Sequence, residues 1–321
     1  MSRYARQIAL PEVGEQGQTI LKNKVALVVG AGGLAANVLP LLAGAGLRRV
    51  IIVDGDRIEN SNLHRQTLFT EADAGLLKAE VAALRCMALN SVVDAVAVSA
   101  SLTPETAIHL VASADIVLDC ADSYAVSYIL SDTCRMAKVP LISASALAFG
   151  GYAGGFCATA PSLRAVFPEA PQNAASCASS GVMGPVVAML GAVQAQLALS
   201  HLLRLTPSPL GQLLQVDFRH FRLSSFRFDK APEPDTAFPY LARNQISDID
   251  VIVDLRSADE APDPIDTRAI RLAPDDLSAW LRPTNARLVL ACASGLRAWR
   301  AAENLQHDWP GEIALMAASA S

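Results

Sequence analysis

The sequence predicts an α/β fold, a doubly wound and mainly parallel sheet followed by a second, smaller α/β domain. Three observations carry that prediction. A β-branched run ending in glycines leads into a helical stretch and then a second strand ending in acids. Apolar runs of strand length recur beyond it with helical segments between them. After a Pro- and charge-rich break, DKAPEPDTAFP, the same alternation begins again.

Taken in order, KVALVV (Lys24–Val29) reads as the first strand, Leu34–Ala45 as a helix and RRVIIVDGD as the second strand. Strand, glycine turn, helix, strand is the opening of a Rossmann-like sheet. Later strands are expected at Ala95–Val98, Ala114–Cys120 and Val139–Ser145. The longest apolar run, Gly184–Leu203, carries two Gln and several small residues, so it reads as a buried helix rather than a membrane span. Residues 206–228 alternate as a hairpin should, in QLLQVDF and FRLSSFRF. The expected division is a first domain over 1–229, a linker over 230–238 and a second domain over 239–321. The second domain opens with DVIVDLRS (Asp250–Ser257) and returns with RLVLACASGLRAWRAAENL (Arg287–Leu305).

With 321 residues, 52% of them apolar and 18% charged, the chain can bury a large core. A net charge of -5 leaves no excess of cations to neutralise nucleic-acid phosphates. Cys86, Cys120, Cys134, Cys157, Cys177 and Cys292 are scattered without a Cys-x-x-Cys pair, which suits a reducing, cytoplasmic setting. The first residues lack the basic-then-apolar order of a signal peptide, and no membrane partner is expected.

Gly30, Gly32 and Gly33 form a strand-to-helix turn of the kind that lets backbone N–H groups approach a phosphate at a helix N-terminus. Such a turn serves NAD, FAD and ATP alike, or only a tight turn, and the last glycine of the dinucleotide fingerprint is Ala35. Asp54, at the end of the second strand, is placed to accept hydrogen bonds from ribose hydroxyls of any of these nucleotides. The residues beyond it are less generic. Asp54, Asp56, Asn62, Arg65, Gln66 and Lys78 fall within 25 positions. Hydride transfer needs no cations crowded beside the phosphates, whereas phosphoryl or nucleotidyl transfer develops charge that fixed Arg and Lys groups stabilise.

In these pieces the chain resembles the HesA/MoeB/ThiF family of ubiquitin-activating (E1-like) adenylyltransferases. The matching motifs are RYARQ (Arg3–Gln7), GAGGL (Gly30–Leu34), DGD (Asp54–Asp56), SNLHRQ (Ser61–Gln66), GLLK (Gly75–Lys78), DCADS (Asp119–Ser123) and SCASSGVMGP (Ser176–Pro185), in family order over about the first 225 residues. The resemblance implies that the turn holds ATP. It implies that the Gly-Gly carboxylate of a small ubiquitin-like sulfur-carrier protein attacks the α-phosphorus, giving an acyl-adenylate and pyrophosphate. Asp54 would bind ribose, with Asn62, Arg65, Gln66 and Lys78 around the phosphates, Asp122 holding Mg2+ and Ser123 beside it. Arg6 would reach ATP from the opposite subunit of a homodimer. Each has a plainer reading: Arg6 as an exposed helix residue, Asp122 as a helix N-cap, Asp56 as a loop organiser.

The resemblance also makes Cys177, just before a helix, a candidate thiol for a covalent link to the carrier or for accepting sulfur. A packed, inert thiol is the alternative there, and Cys86, Cys120, Cys134 and Cys157 read as core residues. The C-terminal segment resembles a rhodanese-like sulfurtransferase domain. VIVDLRSADE matches its Asp-x-Arg strand, and CASGLRA (Cys292–Ala298) matches a loop that surrounds a persulfide with N–H groups, with Arg297 fixing the loop or binding the donor. The segment departs from that pattern in its shortness and in lacking a clear Gly-His-Ile stretch, which leaves an inactive domain as the other reading.

Many members of the first family carry a zinc held by two Cys-x-x-Cys pairs. Where the first pair would lie the chain reads SLRAVFPEAP (Ser162–Pro171), so no zinc is expected and apolar packing must hold the region around Phe167. The family's Asp-Asn pair is Asp122-Ser123, so one nucleotide contact is expected to be lost or bridged by water. Besides the adenylyltransferase, in a molybdopterin, thiamine or related sulfur pathway, two other readings stand: an NAD-dependent oxidoreductase and a non-catalytic relative that only binds nucleotide.

Overall fold

The computed structural model describes residues 2–169, 181–235, 237–280 and 284–320. Strands β1 (Val25–Val29), β2 (Arg49–Val53), β3 (Asp94–Val98), β4 (Ile116–Asp119) and β5 (Leu141–Leu147) run parallel. β6 (Gly150–Phe156), β7 (Gln212–Asp217) and β8 (Arg222–Arg227) extend the same sheet antiparallel, in the order β3-β2-β1-β4-β5-β6-β7-β8. β1 and β4 are buried on both faces, which is why they read as continuous apolar runs rather than alternating ones. Val29 pairs with Val53 on one side and Asp119 on the other, so β1, β2 and β4 end at one level. The winding reverses between β1 and β4, and the crevice beyond their carboxyl ends is where such sheets bind ligands.

Ten α-helices are present among the described residues. Near the N-terminus lie α1 (Ala5–Ile8) and α2 (Gly14–Leu21), with α3 (Ala35–Ala45), α4 (Lys78–Leu89), α5 (Pro104–Ala112), α6 (Tyr124–Ala137) and α7 (Leu163–Val166) further along the chain. The apolar run forms α8 (Gly184–Leu202), which packs on α3 and on β4, β5 and β6. It is long and apolar enough to cross a membrane, but its buried side already has those partners. Gly191 lets α8 cross α3 closely, since a Cβ there would lie 2.4 Å from the Leu34 carbonyl.

The second sheet holds β9 (Val251–Asp254), β10 (Ile270–Arg271), β11 (Leu288–Cys292) and β12 (Ile313–Ala317), all parallel, in the order β10-β9-β11-β12. α9 (Leu277–Trp280) and α10 (Leu296–Leu305) accompany it. The two sheets share one apolar cluster that contains Tyr128 of α6, Trp299 of α10, Tyr240 and Phe238. The Tyr128 and Trp299 rings meet edge to face at 4.4 Å. Arg164 lies over both rings, binds Asp132 through two hydrogen bonds of 2.7 and 2.9 Å, and donates to the Phe238 carbonyl.

The stretch read as a linker is docked rather than free. Glu233 accepts from the Ser162 backbone N–H at 2.8 Å and from its hydroxyl at 2.6 Å, and Arg135 sits 3.6 Å away. Periodicity misses this because the docking rests on one carboxylate and on isolated apolar residues, Ala231 and Phe238, rather than on a repeating apolar pattern. Around Phe167 the expected apolar packing is present: its ring stacks on Tyr152, while its carbonyl accepts from the Tyr128 hydroxyl.

Candidate functional site

The glycine turn succeeds β1. Gly30 has a left-handed φ of +89°, and a Cβ there would come within 2.6 Å of the Cys120 carbonyl. The turn is therefore pressed against the end of β4 on one side. On the other it meets the 61–66 loop: a Cβ on Gly33 would lie 3.3 Å from the Arg65 carbonyl and 2.7 Å from Val187, and Gly32 faces the Gln66 amide. α3 starts directly after; the N–H groups of Ala36, Asn37 and Val38 donate to the Gly32 and Leu34 carbonyls, so the helix adds the positive end of its dipole rather than those donors.

Asp54 organises the turn. Its carboxylate accepts from the N–H of Ala31 at 2.7 Å and of Asp56 at 2.8 Å. Burial raises its pKa against those hydrogen bonds and against the charge of Lys78. Lys78 opens α4 and is only 6% exposed, yet its ammonium reaches the exposed Asp56 carboxylate at 2.9 Å. The chain folds back to make this meeting through an antiparallel bridge between Arg57 and Leu77. Arg65 is half-buried. Its guanidinium donates to Asn62 Oδ1 at 2.9 Å and contacts the His64 ring at 2.8 Å, while Gln66 Nε2 shares the same Asn62 oxygen at 3.3 Å. Asp122 lies exposed after β4, in the loop that leads into α6.

Two buried polar atoms here have no hydrogen-bond partner: Gln66 Oε1 and Ser123 Oγ. They are half of the four such side-chain atoms among the described residues, so unmet hydrogen bonding concentrates in this crevice. Gln66 is 4% exposed. Ser123, not Asp122, occupies the N-cap position of α6, and it makes no side-chain cap bond there. Gly32 and Gly33 thus face Gln66 and Arg65, Asp54 binds the turn within the field of Lys78, and Ser123 follows the end of β4 on which Gly30 packs; with two unmet polar atoms, this donor and acceptor set fits a nucleoside triphosphate.

Arg6 lies elsewhere. α1 and α2 dock on the far end of α3, where Gln7 and Gln18 both donate to the Ala45 carbonyl at 3.3 and 3.1 Å. At about 1.5 Å of rise per residue, the 11 residues of α3 separate that end from the glycine turn by roughly 16 Å. The exposed Arg6 does not reach the crevice of its own chain.

Sequence reading missed two buried residues beneath the site. Asp119, the last residue of β4, is fully buried; its carboxylate accepts from Ser143 Oγ at 2.8 Å and from the Ala121 N–H at 3.2 Å. Burial pushes it up to about 6. Gln194, in the middle of α8, is also fully buried. An ionisable residue in a strand and a Gln in an apolar helix were the available signals.

Cys292 ends β11, and its Sγ accepts from the N–H of Gly295 at 3.1 Å and of Ala298 at 3.4 Å. This is the expected loop at the start of α10. Arg297 donates to the Leu255 carbonyl and pairs with Glu260, so it ties the loop to the end of β9. Tyr240 covers Gly295 from the other side. Burial pushes the Cys86 and Cys157 thiols up to about 12 and those of Cys120 and Cys134 well above the usual thiol range, as core residues should be. Cys177 lies outside the described residues.

The sequence profile of the ThiF family matches residues 4–237, which stops short of the second sheet. The cattle (Bos taurus) adenylyltransferase and sulfurtransferase MOCS3 is 44% identical over 242 residues, covering 71% of this chain and 52% of the relative. Its pig (Sus scrofa) counterpart is 43% identical over the same length and shares. The matched segment spans about half the length of these curated relatives. Among solved structures, E. coli MccB with ATP superimposes with a TM-score of 0.63 at 23% identity, over 72% of this chain and 73% of that one. E. coli MccB alone gives 0.64 at 22%, over 75% of each. At such identities these two establish likeness of fold.

Proposed function

This chain belongs to the ThiF family, and from that premise we propose that it is an ATP-dependent adenylyltransferase acting on the C-terminal glycine of a ubiquitin-like sulfur carrier. The observation that carries the reading is the packing of Arg65 and Gln66 on the glycine turn, whose partner Asp54 lies in the field of Lys78, with Gln66 Oε1 and Ser123 Oγ left for a ligand. The names of the relatives and the nucleotide in MccB support it.

In this reading a carrier carboxylate oxygen bonds to the α-phosphorus, the bond from that phosphorus to its bridging oxygen breaks, and pyrophosphate leaves. Gly30, Gly32 and Gly33 admit the phosphates to backbone N–H groups. Arg65 and Lys78 stabilise the charge that grows on the departing diphosphate. Asp54 takes the ribose hydroxyls and keeps the turn in shape, while Asp56 holds Lys78 until nucleotide arrives. Asp122 would hold Mg2+, for which one exposed carboxylate together with phosphate oxygens is a suitable hard-oxygen set. The ion, when bound, adds neutralising charge at the phosphates. Arg6 enters the crevice of a second copy, so the active form is a homodimer, and its setting is the cytoplasm.

The second domain, 239–321 after the 230–238 linker, is read as a rhodanese-like unit whose Cys292 carries a persulfide. The terminal sulfur displaces AMP from the acyl-adenylate, and a second thiol, for which Cys177 is the candidate, then frees the carrier thiocarboxylate and leaves a disulfide. No zinc takes part in this scheme. The test is ATP–pyrophosphate exchange with a Gly-Gly-ending carrier. Exchange that requires the carrier supports the reading; nucleotide binding without exchange across candidate carriers overturns it.

A further inference from the structure

Gln194 sits in the eleventh position of α8, a helix otherwise apolar on its buried side, and is fully buried. Its amide nitrogen donates to the Asp119 carbonyl at 2.6 Å and to the Ile142 carbonyl at 2.9 Å, and its oxygen accepts from the Cys120 thiol at 3.4 Å. Both N–H groups and the oxygen of the side chain are thus spent on β4, β5 and the residue just after β4. Filling space there would need only Leu or Met, with no polar group to desolvate.

The three partners identify what is being held. Asp119 closes β4 and Cys120 follows it, immediately before Ala121, Asp122 and Ser123. The Cys120 carbonyl is the atom against which Gly30 packs. The side chain of Asp119 is fixed independently, by Ser143 and by the Ala121 N–H. The backbone at 119–120 is therefore pinned from α8, and its side chain is pinned from β5. At its other end α8 begins with Gly184, where a Cβ would lie 2.6 Å from the His64 carbonyl, next to Arg65. One rigid helix thus touches both walls of the crevice.

We infer that Gln194 is a positioning residue that sets the Asp119–Ser123 loop against the glycine turn, so that ATP affinity depends on its carboxamide. The inference rests on the adenylyltransferase reading only for the identity of the ligand. Gln194→Met keeps the volume and removes all three hydrogen bonds. Gln194→Glu keeps the acceptor and, while protonated, one donor. Ala198→Gly weakens the same helix one turn further on, at a buried position whose side chain carries no hydrogen-bonding group.

ATP binding is measured by titration calorimetry on the full-length proteins, with folded fraction checked by circular dichroism. Gln194→Met should weaken ATP at least tenfold. Gln194→Glu should bind within about threefold of the parent at pH 6 and fall toward the Met variant at pH 8.5, as its buried acid ionises. Ala198→Gly should melt earlier but bind as the parent does. Parent-like affinity in a folded Gln194→Met protein overturns the inference, as does equal weakening by Ala198→Gly. If neither Gln194 variant folds, the residue serves the fold and not the site, and the inference also fails. Parent protein that binds no ATP sinks the nucleotide reading itself, a distinguishable result.

Discussion

Replacing Asp119 by Asn should stabilise the protein at neutral pH and not at acid pH. Burial lifts this carboxyl from 3.8 to about 6, in spite of hydrogen bonds from Ser127, Ser143 and the Ala121 N–H, and the charge of Asp122 pushes the same way. Between about pH 4 and 6 the folded chain keeps a proton that the unfolded chain has released. Stability therefore falls as pH rises through this window and is level again above it. A shift of about two pKa units corresponds to ~3 kcal/mol in all, of which roughly 2 kcal/mol is lost between pH 4.5 and 7. Asn does not titrate, and it can accept from Ala121 and donate to the Ser143 oxygen in the same pose. Urea unfolding in EDTA at the two pH values, on parent and Asp119→Asn proteins, measures the difference. The variant should gain roughly 2 kcal/mol over the parent on going from pH 4.5 to 7. Curves that stay parallel across this range would refute the reasoning, because they would mean that the carboxyl titrates alike in both states.

Lys78→Ala and Arg65→Ala should each lower pyrophosphate exchange by about a hundredfold or more, in line with removal of a charge-stabilising donor. Lys78→Ala should leave folding little changed, since its partner Asp56 is exposed and stays hydrated; exchange and melting curves check both. Arg164→Met should cost about 3 kcal/mol, because it strands Asp132 and the Phe238 carbonyl and opens the contact between the two sheets. Proteolysis in the 229–239 stretch should quicken correspondingly. Cys292→Ser should abolish sulfur transfer to the carrier while exchange continues at the parent rate; equal loss of both would place Cys292 in the adenylation step.

The parallel half of the large sheet was legible because its strands are buried on both faces and its turns are marked by glycine. The hairpin was legible by alternation. The site was legible only in part. Arg65 and Lys78 stood out as charges in a compact stretch, and the family motifs supplied their roles. Gln66 Oε1 and Ser123 Oγ could not be seen as unmet acceptors in a string of letters, since that requires knowing what surrounds them. Asp119, Gln194 and Glu233 act through a few hydrogen bonds between segments 24 to 75 residues apart, and such pairings leave no periodic trace. The same holds for Arg164, which a reading for cysteine pairs passes over.

The division near residue 230 follows composition, whereas the packing does not respect it. α6 begins at the Asp122–Ser123 loop and α10 begins at the Cys292 loop, and about one turn into each helix Tyr128 meets Trp299. Arg164 completes that contact from a third segment, and Glu233 ties down the connecting chain. A displacement of either loop along its helix must move an aromatic ring in a close-packed contact, where even small shifts lose dispersion energy. The two candidate centres are therefore carried on helices that share one core.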